Sequence, residues 1–212
     1  NKKSNSEASA LNSIKENVST SKGLRELGTL REKIVFSSGN ANADIMFIGE
    51  APGREEEIQG LPFVGPSGQL LTKIIQAMGM KREDVYISNI VKFRPMIEGK
   101  SQGASNRKPT INEMELSLPF IFEEINVVRP RIIIALGGTA MQGLLKINGT
   151  LSSARGNVYD VQGTKAIVTY HPSFLLRSKS PNQDKRKLWE DMILVMEILK
   201  IPITEKQRNY FK

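Results

Sequence analysis

Short apolar runs alternate along this chain with longer stretches of helical spacing. Ile45-Met46-Phe47-Ile48 is wholly apolar and stops at Gly49. Such a run reads as a strand buried on both faces. Val85–Val91 and Arg131–Leu136 have the same character, the second broken by Gly137-Gly138. Asn157–Val161 and Lys165–Thr169, separated by a turn at Gly163, predict two more strands. Between these runs, Leu70, Leu71, Ile74, Ile75 and Met78 recur at helical spacing within Gly68–Met78. Thr110 with Glu113 three residues on predicts a capped helix running to about Asn126. Thr139–Leu145 is a further helix, and the last starts at Pro181 or Asp184 and runs to about Leu199. Gly23–Lys33 predicts a turn or two of amphipathic helix. Strands alternating with helices predict a three-layer α/β/α domain around a central, mainly parallel sheet. In such sheets ligands sit at the carboxyl ends of the strands.

Two stretches fall outside this pattern. Residues 1–20 are rich in Ser, Asn and Lys and read as a flexible polar tail, with at most a short helix around Leu11–Val18. A single domain then occupies 21–212. Residues 95–109 are rich in Gly, Ser, Asn and Lys and read as a long mobile loop.

Composition narrows the function. The chain has 212 residues, 39% of them hydrophobic, enough for one packed core. No apolar run approaches the length of a membrane span, and the first residues lack a signal-peptide core. The expected location is cytoplasmic (nucleoid-associated) or organelle-internal, not secreted. A net charge of +8 favours polyanionic partners, nucleic acid before a membrane surface, though solubility alone also explains it. There is no cysteine and one histidine, His171. That excludes disulfides, Cys-ligated metals or clusters, thiol nucleophiles and multi-His metal sites.

Four strand-end loops carry the candidate chemistry. Gly49-Glu50-Ala51-Pro52-Gly53 permits tight turns and close ligand approach. Leu61-Pro62-Phe63-Val64-Gly65 holds an aromatic ring between Pro and Gly. Ser88-Asn89 ends a strand with a side chain able to read an amide edge. Tyr170-His171-Pro172-Ser173-Phe174-Leu175-Leu176-Arg177 places the lone histidine directly after a strand. Each has a plainer structural reading when taken alone: a turn, a core plug, a cap, a structural histidine.

Taken together, the ordered blocks from Gly49 through Gly65, Ser88–Lys92, Ala135-Leu136-Gly137 and His171-Pro172-Ser173 resemble the uracil-DNA glycosylases of the iron–sulfur type, called family 4. The resemblance covers roughly residues 25–199. It implies a monofunctional, metal-independent hydrolase that flips uracil out of DNA and cleaves its N-glycosidic bond. By position, Phe63 stacks on uracil, with Ala51 beside it, and Asn89 bonds the Watson–Crick edge. His171 donates to uracil O2. Glu50 places or polarises the attacking water, or stabilises the sugar cation. Leu175 wedges into the duplex gap. Arg177, Arg107 and Arg155, with the backbone of Gly138 at a strand-to-helix junction, are expected on phosphates. Lys92, Arg94, Lys100, Lys108, Lys179, Lys185, Arg186 and Lys187 add charge to that face, some of 185–187 only as a solvated helix surface. The partner is DNA, and a monomer is expected.

The chain departs from the resemblance in two places. The family's four cluster cysteines fall at Lys22, Arg25, Phe93 and Ser117, so no iron–sulfur cluster or other cofactor is expected. Phe93 is the candidate to fill the vacated volume. The second departure is an insert at about 97–104, either touching DNA backbone or forming a plain surface loop. A related branch carries there a histidine that bonds the abasic sugar. This chain has none, so covalent trapping is not expected. The alternatives are a catalytically inactive DNA- or partner-binding module on the same fold, and a nucleotide-binding enzyme of another α/β type. The second lacks its phosphate-loop motifs.

Overall fold

A computed structural model of the chain describes residues 2–99 and 102–212, with side chains from residue 6 onward. The chain opens with α1 (Lys2–Thr20), α2 (Lys22–Glu26), β1 (Leu30–Ile34) and β2 (Ser37–Gly39). β3 (Ile45–Gly49) leads into α3 (Arg54–Gln59) and α4 (Pro66–Ala77). A 3-10 turn at Arg82–Asp84 precedes β4 (Tyr86–Asn89) and β5 (Phe93–Pro95). α5 (Ile111–Val128), β6 (Ile132–Leu136), α6 (Gly138–Leu145) and α7 (Leu151–Ala154) follow. The chain closes with β7 (Tyr159–Val161), β8 (Thr164–Thr169), α8 (Pro172–Leu176), α9 (Pro181–Leu199) and α10 (Glu205–Arg208).

The main sheet has the order β2-β4-β3-β6-β8-β7. Its inner strands β4, β3, β6 and β8 are mutually parallel, and β2 and β7 join the edges antiparallel. Period-two alternation sends Met46, Ile48, Ile133 and Ala135 to one face, where α1, α5 and α6 pack. Ile45, Phe47, Ile132 and Ile134 go to the other, under α4 and α9. Strands covered on both faces must be apolar throughout, which is why they read as unbroken runs. The three-layer expectation holds.

Three local expectations change. Residues 2–20 form a docked helix rather than a tail. Leu11, Ile14 and Val18 lie on one helical face and are buried in the cluster with α5. Glu7 also pairs with Arg129 at 3.1 Å. The stripe is thin but sufficient, because α5 supplies the apolar partner. In the 23–33 segment only Lys22–Glu26 is helical; Gly28, at φ +62°, turns the chain into β1, which pairs with β5. The 95–109 segment is pinned where it is described. Arg94 donates to the carbonyls of Gly103 and Ser105 at 3.0 and 2.7 Å and to Asn106 Oδ1 at 2.9 Å. Gln102 donates to the Pro95 carbonyl at 2.8 Å. Lys100 lies outside the described residues.

Candidate active site

The inner strands deliver their carboxyl ends to one place. Gly49 ends β3 opposite Asn89 at the end of β4, and Leu136 ends β6 opposite Thr169 of β8. The Gly137 N–H donates to the Thr169 carbonyl at 2.8 Å, which holds the two neighbouring loops together. A cavity of about 600 Å³ opens there, bordered by Glu50, Ala51, Phe63, Asn89, His171 and Arg177 among others. The predicted floor residues Glu50, Ala51, Phe63, Asn89 and His171 are therefore brought together from four separate loops.

Asn89 and Phe63 meet across Gly49. A Cβ on Gly49 would lie 2.4 Å from Asn89 Oδ1 and 2.6 Å from Phe63 Cζ, so only glycine fits. Asn89 is buried, and its Oδ1 has no hydrogen-bond partner among the described residues. A buried acceptor without a partner costs about 1–3 kcal/mol, and a donor arriving from the cavity would recover that. Phe63 sits at φ +52°, a left-handed conformation costly for an aromatic residue. Glu56 holds this bend, accepting from the N–H groups of Val64 and Gly65 at 2.9 Å each. The Phe63 carbonyl then presses on Gly68 in α4, where a Cβ would lie 1.8 Å away.

His171 follows β8 and caps α8. Its Nδ1 accepts from the Ser173 N–H at 3.1 Å and lies 2.8 Å from Ser173 Oγ. An Nδ1 that accepts from an amide leaves the ring proton on Nε2. Burial, helped by the nearby Arg177 cation, lowers the His171 pKa to about 4. The imidazole is therefore neutral at pH 7, with Nε2–H left over as a donor. Its ring centroid is 5.6 Å from that of Phe63. Glu50 is only half-buried, and its carbonyl accepts from the Val91 N–H at 3.0 Å.

The expected DNA contacts divide. Arg177 is exposed at the cavity rim and donates to Ser173 Oγ at 3.3 Å. Gly138 is exposed at the start of α6 with open space before it. The structure holds the others internally. Leu175 is 5% exposed and packed among the core residues beneath α8 and α9, whereas Leu176 is 53% and Phe174 41% exposed. The helical turn of α8 points Leu175 inward. Arg155 is spent internally: it pairs with Asp191 at 2.7 Å, donates to the Lys187 carbonyl and lies over the Tyr170 ring. Thr169 Oγ1 donates to the same Asp191 at 2.5 Å, so Arg155 braces the end of β8. Arg107 borders the cavity, but its guanidinium bonds Glu113 at 2.6 Å and the carbonyls of Met96, Thr29 and Lys108. Lys92 and Arg94 are buried and paired with Glu124 and Glu57. Sequence reasoning singled out neither Glu56, which holds the Phe63 bend, nor Leu176 as the exposed leucine of α8. Glu56 is one of three consecutive glutamates, with nothing to single it out. Leu176 differs from Leu175 only in helix phase.

The positions matched to cluster ligands do not fit an iron–sulfur cluster, which is held by thiolates. Lys22 pairs with Glu26 on the surface, and Arg25 donates to the Ser19 carbonyl. Phe93 is buried in an apolar cluster with Leu24 and Leu118, and Ser117 Oγ donates to the Glu113 carbonyl at 2.7 Å.

A doubly covered parallel sheet brings a carboxamide, an aromatic ring and a neutral histidine together around one cavity at its strand ends. Residues 36–193 match the family model of the uracil DNA glycosylase superfamily, and the chain belongs to that superfamily. It is 40% identical over 166 residues to a type-4 uracil-DNA glycosylase of Thermotoga maritima, covering 76% of this chain and 81% of that one. A type-4 uracil-DNA glycosylase of Saccharolobus solfataricus is 40% identical over 178 residues, 78% of this chain and 79% of its own. The corresponding protein of Archaeoglobus fulgidus is 39% identical over 159 residues, 71% and 76% of the two chains.

Proposed function

We propose that this protein excises uracil from DNA by hydrolysing the N-glycosidic bond and leaving an abasic site. The observation that carries the reading is the buried Oδ1 of Asn89, without a hydrogen-bond partner among the described residues, in a cavity it shares with Phe63 and a neutral His171. An Asn amide accepts from uracil N3–H and donates to O4. Cytosine inverts that pattern, so an amide kept in this orientation would leave both groups unpaired. The base reaches the pocket only after leaving the stack, at a cost of a few kcal/mol. Leu176, with Phe174 beside it, fills the gap in place of Leu175, and the contact offsets part of that cost. Phe63 covers the base face. As the glycosidic bond breaks, negative charge gathers on uracil O2, and the His171 Nε2–H donates to it there. A neutral histidine keeps this hydrogen bond without having to give up a proton. Glu50, half-buried in the cavity wall, orients the water or stabilises the cationic sugar. Arg177 and the backbone N–H groups at the start of α6 hold phosphates.

The test is a glycosylase assay on single- and double-stranded oligonucleotides with one uracil, abasic sites being cleaved by alkali. His171→Ala and Asn89→Ala should each lose about 100- to 1000-fold in kcat, the usual cost of removing one such preorganised donor. An unaltered protein that binds DNA but cleaves nothing would leave a binding module with a retained pocket.

A further inference from the structure

Asn89 faces a mechanical problem. Its Oδ1 has no hydrogen-bond partner among the described residues, so no hydrogen bond to that oxygen sets the amide before substrate arrives. What the protein can fix is the position of the backbone that carries the side chain.

Behind it lies a buried ion pair. Lys92 and Glu124 have side chains 1% and 0% exposed. Lys92 Nζ contacts the Glu124 carboxylate and donates to the Asn89 carbonyl at 2.7 Å and to Ser88 Oγ at 2.5 Å. Glu124 Oε2 accepts from Ser88 Oγ at 2.9 Å and from Tyr86 OH at 2.8 Å. Positions 86, 88 and 89 of β4 are thus tied to one point on α5. The tie passes to the next loop. The Ile90 and Val91 N–H groups donate to the Gly49 and Glu50 carbonyls, at 3.0 Å each.

Stability is a weak reason for such a pair. Two charges lose their hydration on burial, and an apolar pair of equal volume is often as stable or more so. What an apolar pair cannot do is grip a carbonyl oxygen.

We propose that Lys92 and Glu124 are positioning residues, fixing Asn89 and the Glu50 loop in register for base recognition; this rests on the base-excision reading above. Neither touches substrate. They act through the Asn89 carbonyl.

The test is the double variant K92M/E124Q. Met keeps the length of the lysine stem, and Gln still accepts from Tyr86 and Ser88 without a buried charge. Four quantities are compared with the unaltered protein: melting temperature, kcat and KM on a uracil oligonucleotide, inhibition by free uracil, and affinity for uracil-free DNA. The expected result is a melting temperature within a few degrees and unchanged affinity for uracil-free DNA. kcat should fall about 10- to 100-fold, as displacements of about 1 Å do, and inhibition by uracil should weaken in parallel. A folded double variant with unaltered kcat and uracil inhibition overturns the proposal. If the double variant does not fold, Ser88→Ala decides. It removes one bond from each member of the pair without a charge change and should lower kcat and uracil affinity several-fold. Unaltered values there overturn the proposal equally. An unaltered protein inactive on uracil overturns the base-excision reading and this inference with it. An active one with an indifferent variant overturns the inference alone.

Discussion

On the floor of the cavity every group is held from behind. Asn89 is tied by its carbonyl to Lys92, His171 by its Nδ1 to the Ser173 N–H, and the Phe63 loop by two amides to Glu56. On the rim the groups are loosely held. Arg177 makes one long bond to Ser173, and Leu176 beside it is exposed, although Phe174 stacks on Tyr170. The contrast fits what the proposed base excision asks of each region. A transition state rewards groups that need no rearrangement. A DNA strand arrives in many conformations and rewards side chains that can adapt. The fold draws the boundary within α8, between Leu175 and Leu176.

That boundary gives the largest expected effect. Leu175→Ala should destabilise the protein by about 2–5 kcal/mol through the cavity it leaves, and activity per folded molecule should change little. Leu176→Ala should do the reverse, with an unchanged melting temperature and kcat/KM on double-stranded uracil DNA down by about tenfold or more, since the wedge offsets a flipping cost of a few kcal/mol. Thermal melts beside kinetics decide. Two leucines with the same profile would erase the distinction between floor and rim.

The next effect belongs to His171. Unfolded, a histidine titrates near 6.5; folded, His171 is held at about 4 by burial and Arg177. Between these values the unfolded chain binds the extra proton. The stability from the neutral ring is therefore complete above about pH 6.5 and is lost as pH falls toward 4, about 3 kcal/mol in all. Urea unfolding at pH 7 and 4.5 should show this slope, and His171→Gln should be missing it. Equal slopes would mean that the ring is not held neutral.

The smallest effect is expected on the rim. Arg177→Gln should weaken binding to every DNA sequence alike and lower the slope of log affinity against log salt by about 0.7–0.9, the share of one phosphate. A sequence-dependent loss would place Arg177 on a base instead.

Much of this was legible in the sequence because it depends on short-range pattern. A strand covered on both faces must be apolar from end to end, so Ile45–Ile48 and Ile132–Leu136 announce themselves. Asn89 ends β4, His171 follows β8 and Phe63 sits between α3 and α4, and topology brings the three together. Phase and pairing were not legible. Leu11, Ile14 and Val18 carry a helical stripe, but three apolar residues among so many polar ones say nothing of the α5 surface that receives them. Lys92 is a basic residue beside a basic loop until Glu124, 32 positions later, is placed beneath it. Arg107 and Arg155 mislead for the same reason: charge is visible in a sequence, and its partner is not.

The two strands that close the sheet have a consequence for how the protein behaves in a concentrated solution. β2 and β7 are three residues each, and Gly39 at φ +104° and the Gly163 turn at φ +83° bound them. The inner strands are the sticky, wholly apolar segments that would template association if one lay at an open edge. Here another chain meets only a stub with few free backbone groups, backed by a net charge of +8, which favours solubility. Resistance to aggregation is thus built into the perimeter of the sheet, and lengthening either stub with alternating Val and Thr is the change that would undo it.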